Sequence, residues 1–208
     1  MIENMLHLYE YEGCPFCRGV RQALAALSLD SIVFPCPRGG RRFRPQAEAV
    51  GGRQQFPLLV DTATNTVQYE SRDIIGYLQN RYAEAALAPP GIGELGAAAE
   101  TELAGLSGMQ LPGASGRRPP ARLFELYNDE ASAPAYQIRA LLGLLELPYI
   151  LRSPAVLAQI GELPGWVRRA APEALDAAHP PAPTLIDPNT QTALFDAGSI
   201  AAYLQEHY

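Results

Sequence analysis

Met5-Leu6-His7-Leu8-Tyr9-Glu10-Tyr11-Glu12-Gly13-Cys14-Pro15-Phe16-Cys17-Arg18-Gly19-Val20-Arg21-Gln22-Ala23-Leu24-Ala25-Ala26-Leu27 is the stretch that decides the fold. It opens on the apolar alternation of a β-strand, Met5 to Tyr9, and closes on Val20, Leu24 and Leu27 at helical spacing. Between them lies Cys14-Pro15-Phe16-Cys17. A strand that feeds a helix through C-x-x-C reads as a redox site rather than a zinc site. The spacing has a mechanical reason. One thiol sits at the helix N-terminus, where unpaired N–H groups and the helix dipole stabilise a thiolate. The other lies one turn in, within reach of a mixed disulfide on the first. Pro15 suits the first helical position, whose N–H has no partner in any case.

Working outward, the first 83 residues predict a strand at 5–11, a helix at 15–28 and a strand at 31–35. A short helix near 44–50 follows, then a hairpin of strands 57–61 and 66–69 turning at Thr62-Ala63-Thr64-Asn65, then a helix at 72–82. The order β-α-β-α-β-β-α is that of a thioredoxin fold, a mixed sheet flanked by helices.

The chain then repeats itself. Tyr69-Glu70-Ser71-Arg72-Asp73-Ile74-Ile75-Gly76-Tyr77-Leu78-Gln79 returns 126 positions later as Phe195-Asp196-Ala197-Gly198-Ser199-Ile200-Ala201-Ala202-Tyr203-Leu204-Gln205. Leu8-Tyr9 returns as Leu126-Tyr127 and Val20-Arg21 as Ile138-Arg139, both at an offset of 118. A period this long marks a domain duplication rather than a solenoid. The expected organisation is therefore α/β: two tandem thioredoxin-like domains, 1–83 and 121–208, each a mixed four-stranded sheet with helices. An Ala/Gly/Pro-rich linker, 84–120, joins them and includes a possible helix from Glu94 to Leu106. The second copy lacks the thiols: Ser132 stands for Cys14, Ala135 for Cys17, and Asp196-Ala197 for Glu70-Ser71.

Bulk properties bound the function. The 208 residues carry a net charge of −6, with no Lys at all. Residues 1–83 hold nine Arg against eight acids, whereas 121–208 hold five Arg against ten, so an acidic second half argues against a nucleic-acid partner. Three cysteines are too few for a secreted disulfide scaffold, which points to a reducing compartment and a cytoplasmic location. No apolar run reaches the ~18 residues of a membrane span, and Met1-Ile2-Glu3-Asn4 lacks a basic signal-peptide start. A four-ligand zinc site would have to recruit from Cys36 and three His.

The motifs together resemble the glutaredoxins and the N-terminal domain of glutathione transferases. Gly13-Cys14-Pro15-Phe16-Cys17 is similar to the glutaredoxin active site, Phe56-Pro57 to the family's cis-proline element, and Glu70-Ser71 to its γ-glutamyl motif. The run Leu8 to Arg18 also resembles tandem transferase-N-domain proteins of photosynthetic organisms and the soluble part of type 2 prostaglandin E synthase. The resemblance implies glutathione as cofactor and a disulfide as substrate. Cys14 would be the nucleophile and Cys17 the resolving thiol, with a small apolar core residue as the plainer role for Cys17. A cis Phe56-Pro57 would offer the Phe56 backbone to the cysteinyl part of glutathione, whereas a trans Pro57 would only start an edge strand.

Ser71 is a candidate N-cap whose hydroxyl and N–H suit the γ-glutamyl carboxylate, with Glu70 near the ammonium; plain capping is the alternative. One of Arg38, Arg41, Arg42 and Arg44 is a candidate for the glycyl carboxylate. Cys36 reads as a structural thiol, and Ser132 as an N-cap before Ala133-Pro134, with a hydrogen bond to a glutathione thiolate, as the resemblance to transferases implies, as its other role. Trp166 and His179-Pro180-Pro181 are candidates for a docking surface. Two other functions fit the same residues: a glutathione-ligated [2Fe–2S] module, and a glutathione transferase or isomerase. The second domain is expected to pack on the first. The resemblance to transferases would imply a following all-helical domain, whereas here a second thioredoxin-like unit is expected to follow.

Overall fold

The computed structural model describes residues 5–83, 120–152, 165–170 and 183–208. The first half follows the predicted order: β1 (Leu6–Glu10), α1 (Pro15–Ala26), β2 (Ser31–Pro35), α2 (Arg44–Gly51), β3 (Leu58–Asp61), β4 (Thr66–Tyr69) and α3 (Ser71–Tyr82). The second half repeats it: β5 (Phe124–Tyr127), α4 (Ala133–Leu144), β6 (Tyr149–Arg152), α5 (Gly165–Ala170), β7 (Thr184–Asp187), β8 (Thr192–Leu194) and α6 (Ala197–His207). The possible helix at Glu94–Leu106, the rest of 84–119 and His179-Pro180-Pro181 lie outside the described residues.

Each half pairs its strands alike. β1 runs parallel to β2 and antiparallel to β3, which turns back into β4; β5, β6, β7 and β8 do the same. The structure departs from two separate four-stranded sheets at one seam. β2 and β6 pair antiparallel, giving a single eight-stranded sheet in the order β4-β3-β1-β2-β6-β5-β7-β8. The seam is self-complementary: Ser31 faces Leu151, Ile32 faces Ile150 and Val33 faces Tyr149. Because Ile150 is the 118-offset counterpart of Ile32, a pseudo-twofold axis passes between these two residues. An unpaired strand edge is a liability, and here two equivalent edges cover each other.

The first core lies under α1 and α3, from Leu6, Leu8, Val20, Leu24, Leu27, Leu59, Ile74 and Leu78. The second gathers Phe124, Leu126, Ile138, Leu142, Tyr149, Leu185, Ile200 and Leu204, and it also takes Val33 from β2. Apolar packing therefore crosses the seam along with the backbone ladder. The duplication extends to a polar detail. Tyr77 and Tyr82 both donate to Asp61 Oδ2 at 2.6 Å, and Tyr203 and Tyr208 donate to Asp187 Oδ2 at 2.6 and 2.7 Å. Each pair ties the last helix of its half to the hairpin. Trp166 packs with Tyr127, Val167 and Ile186 in a small cluster of its own.

Candidate functional site

Cys14 is the N-cap of α1, and its Sγ accepts the Cys17 N–H at 3.4 Å. Pro15 occupies the first turn, as its missing N–H favours. The bend that presents the thiol is closed by Cys14 N–H donating to Tyr11 O at 3.0 Å. A hydrogen bond from the Cys17 side chain, helped by the Cys17 and Phe16 N–H groups and the Tyr11 hydroxyl, pulls the Cys14 thiol down to about 6 against its burial. At neutral pH Cys14 is therefore mostly thiolate. Cys17 is fully buried; burial and its hydrogen bond to Cys14 push its thiol well up. One helix turn thus holds one thiol drawn down and one pushed up, and Phe16 between them stands 63% exposed.

The Phe56-Pro57 peptide is cis. Its loop meets the cysteine loop through the edge-to-face contact of Tyr11 with Phe56, ring centroids 6.3 Å apart. Gln55 Nε2 donates to Glu70 Oε1, so the same loop also touches the start of α3. Cys14, Phe56-Pro57 and Glu70 thereby line one edge of the first half.

Here the structure corrects the capping expectation. Glu70, not Ser71, is the N-cap of α3, and no side chain caps that helix. Ser71 is its first helical residue. Glu70 holds φ +62°, ψ 118°, a left-handed backbone that an acidic residue seldom adopts. The second half shows the ordinary alternative: Asp196, with φ −141°, caps α6 by accepting the Ser199 N–H at 2.8 Å. The α3 terminus thus retains the anion-binding capacity that Asp196 takes up in α6.

The arginine cluster divides. Arg44 donates to Pro37 O at 2.6 Å and Cys36 O at 3.1 Å and lies 4.8 Å over the Phe56 ring, bracing the cis-proline loop. Arg42 binds Glu146 of the second half, its N–H to Oε1 at 3.0 Å and Nη1 to the backbone O at 2.7 Å. Arg38 lies near enough to Tyr11 to lower its hydroxyl pKa, which burial raises. Cys36 is buried beside Tyr9, donates to Phe34 O at 3.4 Å, and its thiol is pushed up to about 12 by burial, as a structural thiol requires. Ser132 caps α4, accepting Ala135 N–H at 3.3 Å in the geometry of Cys14.

Sequence reasoning missed Tyr11, Gln55 and a buried charge lattice beneath the cysteines. Arg21, 1% exposed, binds Glu10, Glu12 at 3.1 Å and Glu130 at 3.1 Å. Arg139, its counterpart, binds Asn128, Glu12 at 2.9 Å and Glu130 at 3.5 Å. The signal was present: Arg21 sits on the stripe Cys17-Val20-Arg21-Leu24, and Arg139 on Ala135-Ile138-Arg139-Leu142, where a solvated residue does not belong. Among the described residues no group of three or more His, Cys, Asp or Glu is placed to hold a metal ion, and no helix is long and apolar enough to cross a membrane.

Residues 8–86 match the family profile of the glutathione S-transferase N-terminal domain. The resemblance read from the cysteine, proline and Glu-Ser motifs is thus shown for the first half. Similar solved structures are transferases. One from Bombyx mori is 26% identical over 38% of this chain and 36% of its own, with a TM-score of 0.34. A delta-class enzyme from Nilaparvata lugens is 28% identical over 37% and 36%, TM-score 0.33. A Phanerochaete chrysosporium transferase in complex with oxidised glutathione is 26% identical over 43% of each chain, TM-score 0.36. The chain spans about a third to two fifths of the length of these transferases. No curated protein matches it significantly.

Proposed function

We propose that this chain is a glutathione-dependent thiol–disulfide oxidoreductase made of two tandem thioredoxin-like domains, 1–83 and 121–208, joined by 84–120. The observation that carries this reading is Cys14 at the N-cap of α1, its Sγ accepting the Cys17 N–H at 3.4 Å, with the thiol held down by that setting. The Cys14 thiolate attacks a disulfide and forms a mixed disulfide, releasing one thiolate. Cys17, or a second glutathione, then attacks Cys14 Sγ and releases the other. The Phe56 backbone beside cis-Pro57 receives the cysteinyl part of glutathione. The first turn of α3, with Ser71 and without a side-chain cap, receives the γ-glutamyl carboxylate, and Glu70 its ammonium. The donor set fits: one thiolate, one edge backbone and one uncapped helix terminus converge on one edge. A free C-x-x-C of this kind works in a reducing compartment such as the cytoplasm.

Glutathione-coupled reduction of a small mixed disulfide tests the proposal. Wild type turns over, and Cys14→Ser falls to the uncatalysed rate; equal rates would sink the reading. The transferase-domain match favours a second reading, in which glutathione held at the same residues is the reagent of a transferase or isomerase. Conjugation of glutathione to an electrophile without disulfide reduction would decide for it.

A further inference from the structure

The loop that presents the nucleophile is a tight turn whose corner is anchored in the other half. Tyr11 O accepts the Cys14 N–H at 3.0 Å, so Glu12 and Gly13 form the corner, and Tyr11 and Cys14 stand at the two ends. The Glu12 side chain is buried between the two arginines. Arg139 Nε donates to both carboxylate oxygens at 3.1 Å, and Arg139 Nη2 donates to Oε1 at 2.9 Å. Arg21 Nη2 lies 3.1 Å from Oε2. The fork that grips Glu12 therefore comes from α4, across the β2–β6 seam. Arg139 stands on the apolar stripe of a helix that has no thiols, where a buried guanidinium is costly.

The second half builds the same turn but braces it differently. Ser132 N–H donates to Asp129 O at 3.1 Å, with Glu130, the 118-offset counterpart of Glu12, at the corner. Asp129 Oδ1 also accepts the Ala131 N–H at 2.9 Å, so this turn is tied by its own first residue. Glu130 takes Arg21 Nε at 3.1 and 3.2 Å and, from its own half, the Asn128 amide at 2.8 Å. Neither local brace exists in the first half. Tyr11 stands where Asp129 does, and its hydroxyl helps hold the Cys14 thiol down instead. Glu10 stands where Asn128 does and is of like charge to Glu12. The turn that carries the thiol thus depends on the arginine fork, whereas the turn that carries Ser132 is also braced within its own half.

We propose that Arg139, from the half without thiols, is a positioning residue for the nucleophile: its fork on Glu12 fixes the turn that carries Tyr11 and Cys14 at its ends. The inference rests on the thiol–disulfide reading above, in which Cys14 attacks. Arg139 acts through Glu12 and not on the sulfur. With the corner fixed, the Tyr11 hydroxyl and the Cys17 N–H stay on Cys14 Sγ, and the thiolate meets its disulfide in one orientation. The second half then supplies a clamp that the first half lacks, a role its missing thiols do not touch. Charge alone predicts the opposite of positioning at Glu12. Removing a nearby carboxylate favours the thiolate and lowers the Cys14 inflection, whereas a loosened turn takes the donors off the sulfur and raises it.

The test uses the full chain and reads the pH dependence of iodoacetamide alkylation at Cys14 by mass spectrometry, beside glutathione-coupled reduction of a small mixed disulfide. Glu12→Gln leaves the carboxylates of Glu10 and Glu130 against Arg21 and Arg139, so the lattice is balanced in charge. It should raise the Cys14 inflection by about half a unit, roughly a threefold fall in the thiolate-to-thiol ratio. Disulfide reduction should fall further than that, since orientation is lost as well. Glu130→Gln, the equivalent change in the other turn, should leave the inflection in place. Arg139→Lys keeps the charge, loses the fork and should match Glu12→Gln. The double variant should move no further than either single one, because both act through one contact. An inflection that stays or falls in Glu12→Gln overturns the proposal, as does an equal rise in Glu130→Gln. Should Arg139→Lys not fold, the pair of glutamate variants decides. A wild type that reduces no disulfide overturns the reading beneath this inference, whereas an active wild type with an unmoved Glu12→Gln inflection overturns the inference alone.

Discussion

The two halves hold the same strands, the same pairing and the same buried arginine, yet they present different chemistry at the same edge. Cys14 and Ser132 both cap their helices through a side chain that accepts the N–H three residues on. Cys17 becomes Ala135 and Glu10 becomes Asn128, while Glu70 in a left-handed backbone becomes Asp196 in an extended one. What is kept is what the fold needs: an N-cap, a small residue on the first turn, a partner for the guanidinium. What differs is the thiol pair, the acid at position 10 and the backbone at the start of the last helix. The second half therefore serves as an internal control for the first.

The largest expected effect tests the shared part. Arg21→Met and Arg139→Met each leave buried carboxylates without a counter-charge, at about 3 to 5 kcal/mol. Urea unfolding of the two variants should give similar losses, because each arginine serves the opposite half through Glu130 or Glu12. The double variant should lose less than the sum, since both arginines share Glu12 and Glu130. A loss confined to one variant would break the symmetry argument.

The tyrosine pairs come next. Tyr82→Phe and Tyr208→Phe each remove a hydrogen bond to a carboxylate and should cost about 1.5 kcal/mol. Although burial raises Asp61 and Asp187, the tyrosine hydroxyls hold both below the usual carboxylate range. A carboxyl lowered in the folded state contributes stability above its unfolded pKa and loses it as pH falls through the folded one. Acid unfolding should therefore begin below the ordinary Asp range and move to higher pH in both variants. Thermal melts across acid pH check this, and a shift in only one half would show that the hairpin lock is not equivalent.

Much of this was legible in sequence, for physical reasons. Period-2 and period-3.6 runs, the C-x-x-C between them, Phe56-Pro57 and the repeat fix the order of elements in both halves. The β2–β6 seam was not legible, because Ile32 and Val33 read as core whether the strand is central or at an edge. Ser71 reads as the cap because a serine at a helix start is a good capping residue, whereas the left-handed Glu70 follows from tertiary context. Tyr11 reads in sequence as part of the strand end. Arg21 and Arg139 were the readable omission, since both occupy the apolar stripe of their helices.

A difference between the halves that can be sharpened directly is the sulfur. The Tyr11 hydroxyl helps hold the Cys14 thiol down, and Asp129 stands at its counterpart position. Tyr11→Phe should raise the Cys14 inflection by about one unit, the loss of a hydrogen bond to a charged group of ~1.5 kcal/mol. The pH dependence of alkylation by iodoacetamide reads it. An unmoved inflection near 6 would assign the thiolate wholly to Cys17 and the helix terminus.

The smallest effect concerns what the second half does for the first. Glu146 holds φ +47° and binds Arg42 twice, through carboxylate and carbonyl. Gly40 admits this approach, since a Cβ there would lie 2.7 Å from Glu146 Oε1. The tethered loop also carries Arg38, which acts on the Tyr11 hydroxyl, and that hydroxyl in turn helps hold the Cys14 thiol down. Glu146→Gln keeps an acceptor for the Arg42 N–H and should be close to neutral. Glu146→Ala loses it and should cost about 1 kcal/mol. If the tether positions the loop, Glu146→Ala moves the Cys14 inflection in the direction of Tyr11→Phe, by less, and Glu146→Gln restores it. If the tether is only an interface contact, stability falls while the inflection stays in place.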